Sequence, residues 1–277
     1  GELARQGSKL VHQNNYDNDF KNETTKVLVE TALALLIKDS DEEEIDLLLT
    51  LPISAYHNHK EDFKQAFLNK EINIDLYDYA EQEYNTIKFK INNVIVKQQG
   101  FTAYIDEILN SNGNIKEEKE EFIEGLASVI DIGFYSTDDY LIENLNPRMT
   151  SSVKIEGISN AYTSIQEKIK KEYDISKKLH ELEEVVRNKE LKIRGNIYDI
   201  KNLVMQEFKT TSEYIYQELM NKNSNFINDV DNFILTGGGS LHLKEFLHGK
   251  LQNVILQDNP VKANAMGGLK WLKRQNN

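Results

Sequence analysis

The 277-residue chain contains no cysteine. A disulfide framework and a thiolate metal site are therefore both excluded, and the absence is consistent with a cytoplasmic protein. Six histidines are present, and His57 and His59 lie close together in the chain. Because no third ligand accompanies this pair, we expect two surface-loop side chains and assign them no metal.

Long apolar runs and an excess of positive charge are also lacking. The longest apolar stretches, TALALLI and IDLLLTLPI, are too short to span a bilayer, and no basic-then-apolar signal segment opens the chain. The formal net charge is −12, whereas binding to a phosphate backbone needs clustered Lys and Arg. We therefore expect no membrane and no direct nucleic acid partner. Any association with DNA would need a basic adaptor protein.

Helical and strand patterns alternate along the whole chain, which is typical of an α/β fold. In the first half, the predicted helices cover residues 23–38, 59–70 and a segment that opens at Gly100, and the predicted strands cover residues 45–52, 72–77 and 86–98. The charged loop at 111–122 is a plausible boundary between two lobes.

The second half repeats this alternation. Its predicted strands are two around a turn within 126–145, one at 230–236 and one at 253–257. Its predicted helices cover much of 158–222 with an interruption at 191–196, then a helix with Ser240 as its cap and Gly249 at its end, and a final helix over 260–274.

The first of two glycine-containing turns is VIDIGFYSTDD. Asp131 ends an apolar strand, and Gly133, Ser136 and Thr137 follow it. A carboxylate at this point suits a hydrated magnesium ion, while amides and hydroxyls suit phosphate oxygens. The alternative is an ordinary β-hairpin with a turn rich in Asp and Gly.

The second turn, ILTGGGS, carries three consecutive glycines at the end of a strand. Glycine is favoured where φ is positive or where a neighbour approaches closer than a Cβ permits. The motif therefore indicates either a ligand lying against the main chain or a tight strand-to-helix turn. It matches neither the dinucleotide pattern G-x-G-x-x-G nor a P-loop, because no Gly-Lys-Ser/Thr follows it.

Taken in order, LPISAY, DIGFYST, ILTGGGS and NPVKANAMGGLKW resemble the actin-like ATPase superfamily, which also contains sugar kinases and chaperone ATPases. Within it, the pattern is most similar to the bacterial ParM/StbA group of plasmid-segregation actins. The resemblance implies a two-lobed, ribonuclease H-like α/β fold with a mixed β-sheet flanked by helices in each lobe. Residues 1–119 would form the rest of the first lobe and residues 120–277 the second, with helix 260–274 returning toward the first.

The resemblance also implies a site for ATP or GTP with magnesium in a cleft between the lobes. Asp131 would hold magnesium through water, with a catalytic role. The residues near the phosphates and the adenosine would be Gly133, Ser136, Thr137, Gly237, Gly238, Gly239 and Ser240. Asn264 would belong to a hinge helix and would not bind ligand.

Gln99 is the second catalytic candidate. It precedes the helix that opens at Gly100, and in similar proteins a Gln or Glu at this point orients the water that attacks the γ-phosphate. A neutral amide can do this, because phosphoryl transfer depends mainly on positioning and electrostatics. Gln98 is an adjacent rival, and a simple polar residue at a strand end remains the alternative.

Two departures from the family pattern bear on activity. The segment GELARQGSK resembles the part that follows the family's first phosphate loop, so we expect that loop upstream of this sequence. ATP hydrolysis is expected only if the loop is present in the full-length protein; if it is truly absent, we expect weak nucleotide binding and little hydrolysis. Phe134 and Tyr135 stand where small residues are common and are expected to crowd the second phosphate loop.

Three functions remain open from the sequence. The first is a self-associating filament protein that hydrolyses nucleotide and segregates plasmid DNA through a basic adaptor. The others are a small-molecule kinase of the same fold and a scaffold without catalysis.

Overall fold

The computed structural model describes residues 23–40, 44–148 and 153–276. The chain divides into two compact units, Gly1–Lys97 and Gln98–Asn277. The units separate after residue 97, whereas the predicted lobes separate after residue 119. The helix near Gly100 and the loop at 111–122 therefore belong to the second unit. The segment GELARQGSK and residues 41–43 of the acidic DSDEEE turn lie outside the described residues.

In the described residues of the first unit, the elements are a three-stranded sheet and two helices. Its elements are α1 (Glu23–Ile37), β1 (Glu44–Leu51), α2 (Ile53–Phe67), β2 (Lys70–Asp78) and β3 (Glu83–Gln98). The strand order is β1-β3-β2, and β2 and β3 form an antiparallel hairpin. Apolar side chains from both layers form its core, among them Leu47, Leu49, Phe67 and Ile91.

The second unit contains the remaining elements. They are α3 (Gln99–Ile108), α4 (Glu121–Glu124), β4 (Leu126–Ile132), β5 (Ser136–Glu143), β6 (Asn146–Pro147), β7 (Val153–Glu156), α5 (Ser159–Tyr173), α6 (Leu182–Asn188), β8 (Glu190–Ile193), β9 (Asn196–Asp199), α7 (Lys201–Lys222), β10 (Asn232–Thr236), α8 (Ser240–His248), β11 (Val254–Leu256) and α9 (Ala263–Asn276).

A mixed six-stranded sheet organises this unit, as predicted. Its order is β11-β10-β4-β5-β6, with β7 also paired to β5. The apolar sequences of β4 and β10 are almost fully buried, and the two strands run parallel. Parallel neighbours end at the same edge of a sheet, so the loops after β4 and β10 emerge side by side.

A buried carboxylate joins this sheet to α7. Asp139 on β5 accepts a hydrogen bond from the Ser128 hydroxyl at 2.6 Å and another from the Asn223 amide at the end of α7. Burial raises the pKa of Asp139 to about 6, although both hydrogen bonds oppose this shift. The carboxylate therefore connects two strands and a helix within the core.

Three predicted boundaries differ from the observed ones. Helix α2 starts at Ile53, directly after Pro52, and α9 starts at Ala263, after a turn that contains Pro260. The interruption at 191–196 is the tip of the β8-β9 hairpin. Its turn residues, Arg194 and Gly195, both have positive φ, at 46° and 90°, as a tight two-residue hairpin loop requires.

Helices α3 and α9 are in unusually close contact. A Cβ added to Gly267 would lie 1.7 Å from the backbone oxygen of Thr102, so the two main chains touch without a side chain between them. Phe101 and Trp271 pack edge-to-face beside this point, at 5.2 Å between ring centroids. Lys270 forms an ion pair with Asp106 at 2.7 Å.

We predict that Gly267→Ala lowers the free energy of unfolding by about 1–3 kcal/mol, because the added methyl group must separate α3 from α9. Gly249→Ala is the matched control, since a Cβ there meets no atom within 4 Å. Its effect should stay within about 0.5 kcal/mol. Urea denaturation of both variants measures the difference, and equal effects would contradict the close contact.

Candidate functional site

The two predicted loops adjoin each other. In the parallel pairing of β4 with β10, Thr236 lies opposite Asp131. A Cβ added to Gly237 would lie 2.4 Å from the Asp131 carboxylate oxygen Oδ1. The segment before α9 joins the same edge, because the Gly237 amide donates to the Pro260 carbonyl at 3.0 Å.

The three glycines of ILTGGGS have different surroundings. Gly237 has φ of +78° and lies against Asp131 and Ile132, and a Cβ on Gly239 would be 2.5 Å from the Ile132 side chain. Close packing therefore explains both residues. A Cβ on Gly238 would meet only Val261, at 3.9 Å. At Gly238 alone the bare backbone borders open space, which is the property expected of a surface that contacts a ligand.

Ser240 is the first residue of α8, and Gly239 occupies the cap position that was predicted for Ser240. The Ser240 hydroxyl donates to the Gly237 carbonyl at 2.6 Å. This hydrogen bond stabilises the glycine turn. The Ser240 side chain therefore does not cap the helix, which begins directly after the turn.

The DIGFYST loop is a tight hairpin turn, as in the alternative interpretation. The Gly133 amide donates to the Ser136 carbonyl at 2.8 Å. Ser136 and Thr137 belong to strand β5, and their hydroxyls lie 3.2 Å from the Asp138 carboxylate and the Glu156 carbonyl, respectively. Of these predicted phosphate ligands, Thr137 is fully buried.

Gly157, which sequence reasoning missed, packs directly against the backbone of this turn. A Cβ there would lie 2.6 Å from the carbonyl oxygens of Gly133 and Phe134. Phe134 and Tyr135 were predicted to crowd this loop. Phe134 instead packs into the core against Tyr162, with ring centroids 5.2 Å apart. The Tyr135 ring is largely exposed.

Asp131 is partly buried beside a second carboxylate. Its cross-strand neighbour on β5 is Asp138, another residue that sequence reasoning missed. Burial, opposed by a hydrogen bond from Asn264 and assisted by the negative charge of Asp138, raises the pKa of Asp131 to about 6. The sequence Ser-Thr-Asp-Asp could have indicated Asp138. Side chains alternate along a strand, so Ser136 and Asp138 lie on the same face of β5.

Asn264 contacts the site directly, although the resemblance assigned it only to a hinge. Its amide nitrogen donates to Asp131 Oδ2 at 3.0 Å. Its amide oxygen lies 2.8 Å from the Thr102 hydroxyl, which is also 2.8 Å from the Gln99 carbonyl oxygen. A continuous set of polar contacts therefore runs from α3 through α9 to the end of β4.

The two glutamines at the start of α3 differ in exposure. Gln98 is only 6% exposed, and its side-chain oxygen is buried with no hydrogen-bond partner among the described residues. Gln99 is the first residue of the helix, and its side chain is partly exposed. Of the two, Gln99 is the more accessible to a ligand.

An aromatic cluster lies beside the glycine turn. His242 on α8 stacks on Phe208 of α7, with ring centroids 4.6 Å apart. Burial lowers the pKa of His242, and the nearby charge of Lys189 lowers it further. The imidazole is therefore kept neutral by its surroundings at neutral pH.

A hydrated magnesium ion is compatible with this donor set. Within the described ranges, no group of three or more His, Asp or Glu residues is arranged to hold a metal ion. Magnesium, however, usually retains several waters and needs only one or two protein carboxylates. Asp131, with Asp138 beside it, meets that requirement.

Comparisons with known proteins identify the family. Residues 1–101 match the model of the N-terminal domain of actin-like proteins, and residues 129–249 match that of the C-terminal part of the archaeal MreB-like actin homologue. The chain is an actin-like protein. No curated protein matches it in sequence.

Three solved structures share the fold of this actin-like protein. The archaeal actin homologue Ta0583 is 19% identical, covering 97% of this chain and 82% of its own, with a TM-score of 0.77. A non-polymerisable quadruple mutant of pCBH ParM is 22% identical, covering 99% and 82%, with a TM-score of 0.75. A ParM from Clostridium botulinum, in a 15-stranded filament, is 23% identical, covering 96% and 76%, with a TM-score of 0.71.

Both glycine turns of the actin-like protein lie within the matched C-terminal region, and β1 to β3 lie within the N-terminal match. The actin-like fold predicted from the motifs is therefore confirmed. In the described part of the chain, no helix is both long and apolar enough to cross a membrane. The ligand roles of the individual site residues stay predictions.

We predict that Asp131→Asn changes how stability depends on pH. The pKa of Asp131 rises from 3.8 to about 6 on folding, so the folded state holds more protons between these values. The free energy of unfolding therefore falls as pH rises through this window. Asp131→Asn should be more stable than wild type by about 1–3 kcal/mol at pH 7, and this gain should vanish near pH 4.

Urea denaturation at several pH values measures the effect. Asp139, whose pKa is also raised to about 6, should leave a residual pH dependence in the variant. A gain of the same size at pH 4 and pH 7 would contradict the raised pKa of Asp131.

Proposed function

We propose that this protein binds ATP or GTP at the two turns of its second unit, hydrolyses it, and assembles into nucleotide-dependent filaments. The observation that carries the proposal is the contrast within ILTGGGS. Packing explains Gly237, which lies against the Asp131 carboxylate, and Gly239, whereas Gly238 between them borders open space. A bare, accessible main chain next to a carboxylate suits a phosphorylated ligand that carries magnesium.

The proposed roles follow from these surroundings. Gly238 would lie under the nucleotide, with Gly237, Gly239 and Ser240 fixing the turn that presents it. The turn at Gly133 would lie next to the phosphates, with Ser136 and Thr137 in the adjoining strand β5. Asp131 would hold magnesium through water, and bound magnesium neutralises the charge that develops on the phosphoryl oxygens.

Gln99 is the proposed water-positioning residue. Gln99 is partly exposed and would orient the attacking water molecule, whereas the amide oxygen of Gln98 is buried. Asn264 would orient the Asp131 carboxylate through the hydrogen bond at 3.0 Å. These residues position the reacting groups, which is the main protein contribution to phosphoryl transfer.

Two relatives support the nucleotide and the polymer. The archaeal homologue Ta0583 has been solved in a complex with ADP, and the ParM of Clostridium botulinum forms a filament. By extension, we propose that this chain self-associates and segregates plasmid DNA in the cytoplasm. Its net charge of −12 suits a basic DNA-binding adaptor better than DNA itself.

We predict that Gly238→Val separates nucleotide binding from folding. The side chain would enter open space, so the melting temperature without nucleotide should change by no more than about 2 °C. The rise in melting temperature caused by Mg-ATP or Mg-GTP should be largely lost, because the valine occupies the surface proposed for the ligand. Differential scanning fluorimetry of the full-length protein provides both measurements.

Gly249→Val is the control, because Gly249 also borders open space but lies outside the site. It should retain the whole nucleotide-induced shift. If Gly238→Val retained it as well, the turn would not be the nucleotide site. If wild type showed no shift with any nucleotide, the scaffold function would replace this proposal.

We predict that Gln99→Ala lowers the rate of nucleotide hydrolysis about 10- to 100-fold while leaving nucleotide affinity within about twofold. Filaments should still form on addition of nucleotide but should disassemble more slowly. Phosphate release, light scattering and pelleting measure these steps. Gln98→Ala is the comparison: an equal loss of hydrolysis in that variant, without loss of stability, would reassign the role.

A further inference from the structure

The end of the β2-β3 hairpin carries an exposed cluster of three tyrosines. Tyr77 lies directly opposite Tyr84, with ring centroids 5.0 Å apart, and Tyr79 lies 4.9 Å from Tyr77. Their exposed fractions are 40% for Tyr77, 58% for Tyr79 and 66% for Tyr84. Two large rings that pack against a third at the surface exceed the isolated apolar residues that are normal on a soluble protein.

Local hydrogen bonds order the backbone beneath these rings. The Asp78 carboxylate accepts from the backbone amides of Ala80 and Glu81 at 2.8 and 3.3 Å, which closes the turn. The Thr86 hydroxyl donates across the hairpin to Asp75 at 2.6 Å. The rings are therefore presented on a formed turn, which reduces the entropy lost when a partner binds.

The outer part of the hairpin, between Lys70 and Lys88, carries charge of a single sign. Residues 71–87 contain five acidic residues and no Lys or Arg. Asp75 and Tyr77 are exposed at i and i+2 on the same face of β2, and Glu81 and Glu83 are exposed in and beside the turn. Tyrosine faces surrounded by carboxylates complement a cation that is both planar and weakly hydrated, which describes arginine better than lysine.

We propose that the tip of the β2-β3 hairpin, formed by residues 75–86, is a docking surface for an arginine-rich segment of a partner protein. Guanidinium groups stack on the tyrosines, and the carboxylates neutralise their charge. A second copy of this chain fits poorly, because its net charge of −12 opposes an acidic surface. The proposal stands on residues of the first unit and does not depend on the nucleotide site.

The test uses fluorescence anisotropy with two short labelled peptides of equal charge, one of alternating Arg and Gly and one of alternating Lys and Gly. At about 0.15 M salt, the Arg peptide should bind wild type several-fold more tightly than the Lys peptide. The variant Tyr77→Ser, Tyr79→Ser, Tyr84→Ser should bind the Arg peptide about 10-fold more weakly and lose this preference. The variant Tyr77→Phe, Tyr79→Phe, Tyr84→Phe should keep it, because the rings remain.

Charge is tested separately. Neutralising the hairpin with Asp75→Asn, Glu81→Gln and Glu83→Gln should weaken both peptides about 10-fold. The matched control neutralises three exposed carboxylates elsewhere, Glu117→Gln, Glu118→Gln and Glu121→Gln, and should change affinity less than about twofold. Circular dichroism and the melting temperature without nucleotide verify that each variant is folded.

Four results would overturn the proposal. The first is no binding of the Arg peptide to wild type, and the second is unchanged binding of that peptide in the serine variant. The third is a loss of affinity in the Glu117, Glu118 and Glu121 control that equals the loss in the neutralised hairpin. The fourth is loss of nucleotide-dependent pelleting in hairpin variants that still bind the Arg peptide. The third would mean that only net charge matters. The fourth would make the hairpin a contact between copies of this chain.

Discussion

The parallel pairing of β4 with β10 is the constraint on which the site depends. It aligns Asp131 with Thr236 and so places the first glycine after β10 against the carboxylate. The register of the apolar strands fixes this geometry, because a slip of one residue would turn their buried side chains to the other face. Backbone hydrogen bonds in the core thus determine where the carboxylate and the glycine turn meet.

From β4, the constraint extends to the helices. Asn264 at the start of α9 holds Asp131, and its other amide atom lies against Thr102 of α3. The site is therefore assembled from residues 131, 237 and 264, which are distant in sequence. Each of these contacts is short-ranged, so a small displacement of α9 is sufficient to alter the surroundings of the carboxylate.

The sequence predicted the fold well, because apolar runs and glycine turns are local patterns that survive in the tertiary structure. The motif order predicted the actin-like fold, and the strands around DIGFYST and ILTGGGS lie where expected. Contacts between distant residues were less accessible. Nothing in ANAMGG indicated that Asn264 would contact Asp131, and no local pattern showed that Gly238, unlike its neighbours, borders open space. Helix starts were also less accurate, since Pro52 and Pro260 each permit a turn or a helix to follow.

The direct contact between Gly267 and the Thr102 carbonyl determines how α3 and α9 can move. Where side chains separate two helices, changes of rotamer absorb small displacements. At Gly267 the two backbones touch, so no side chain separates them at this point. We therefore expect a shift at the amino end of α9 to displace α3 with it.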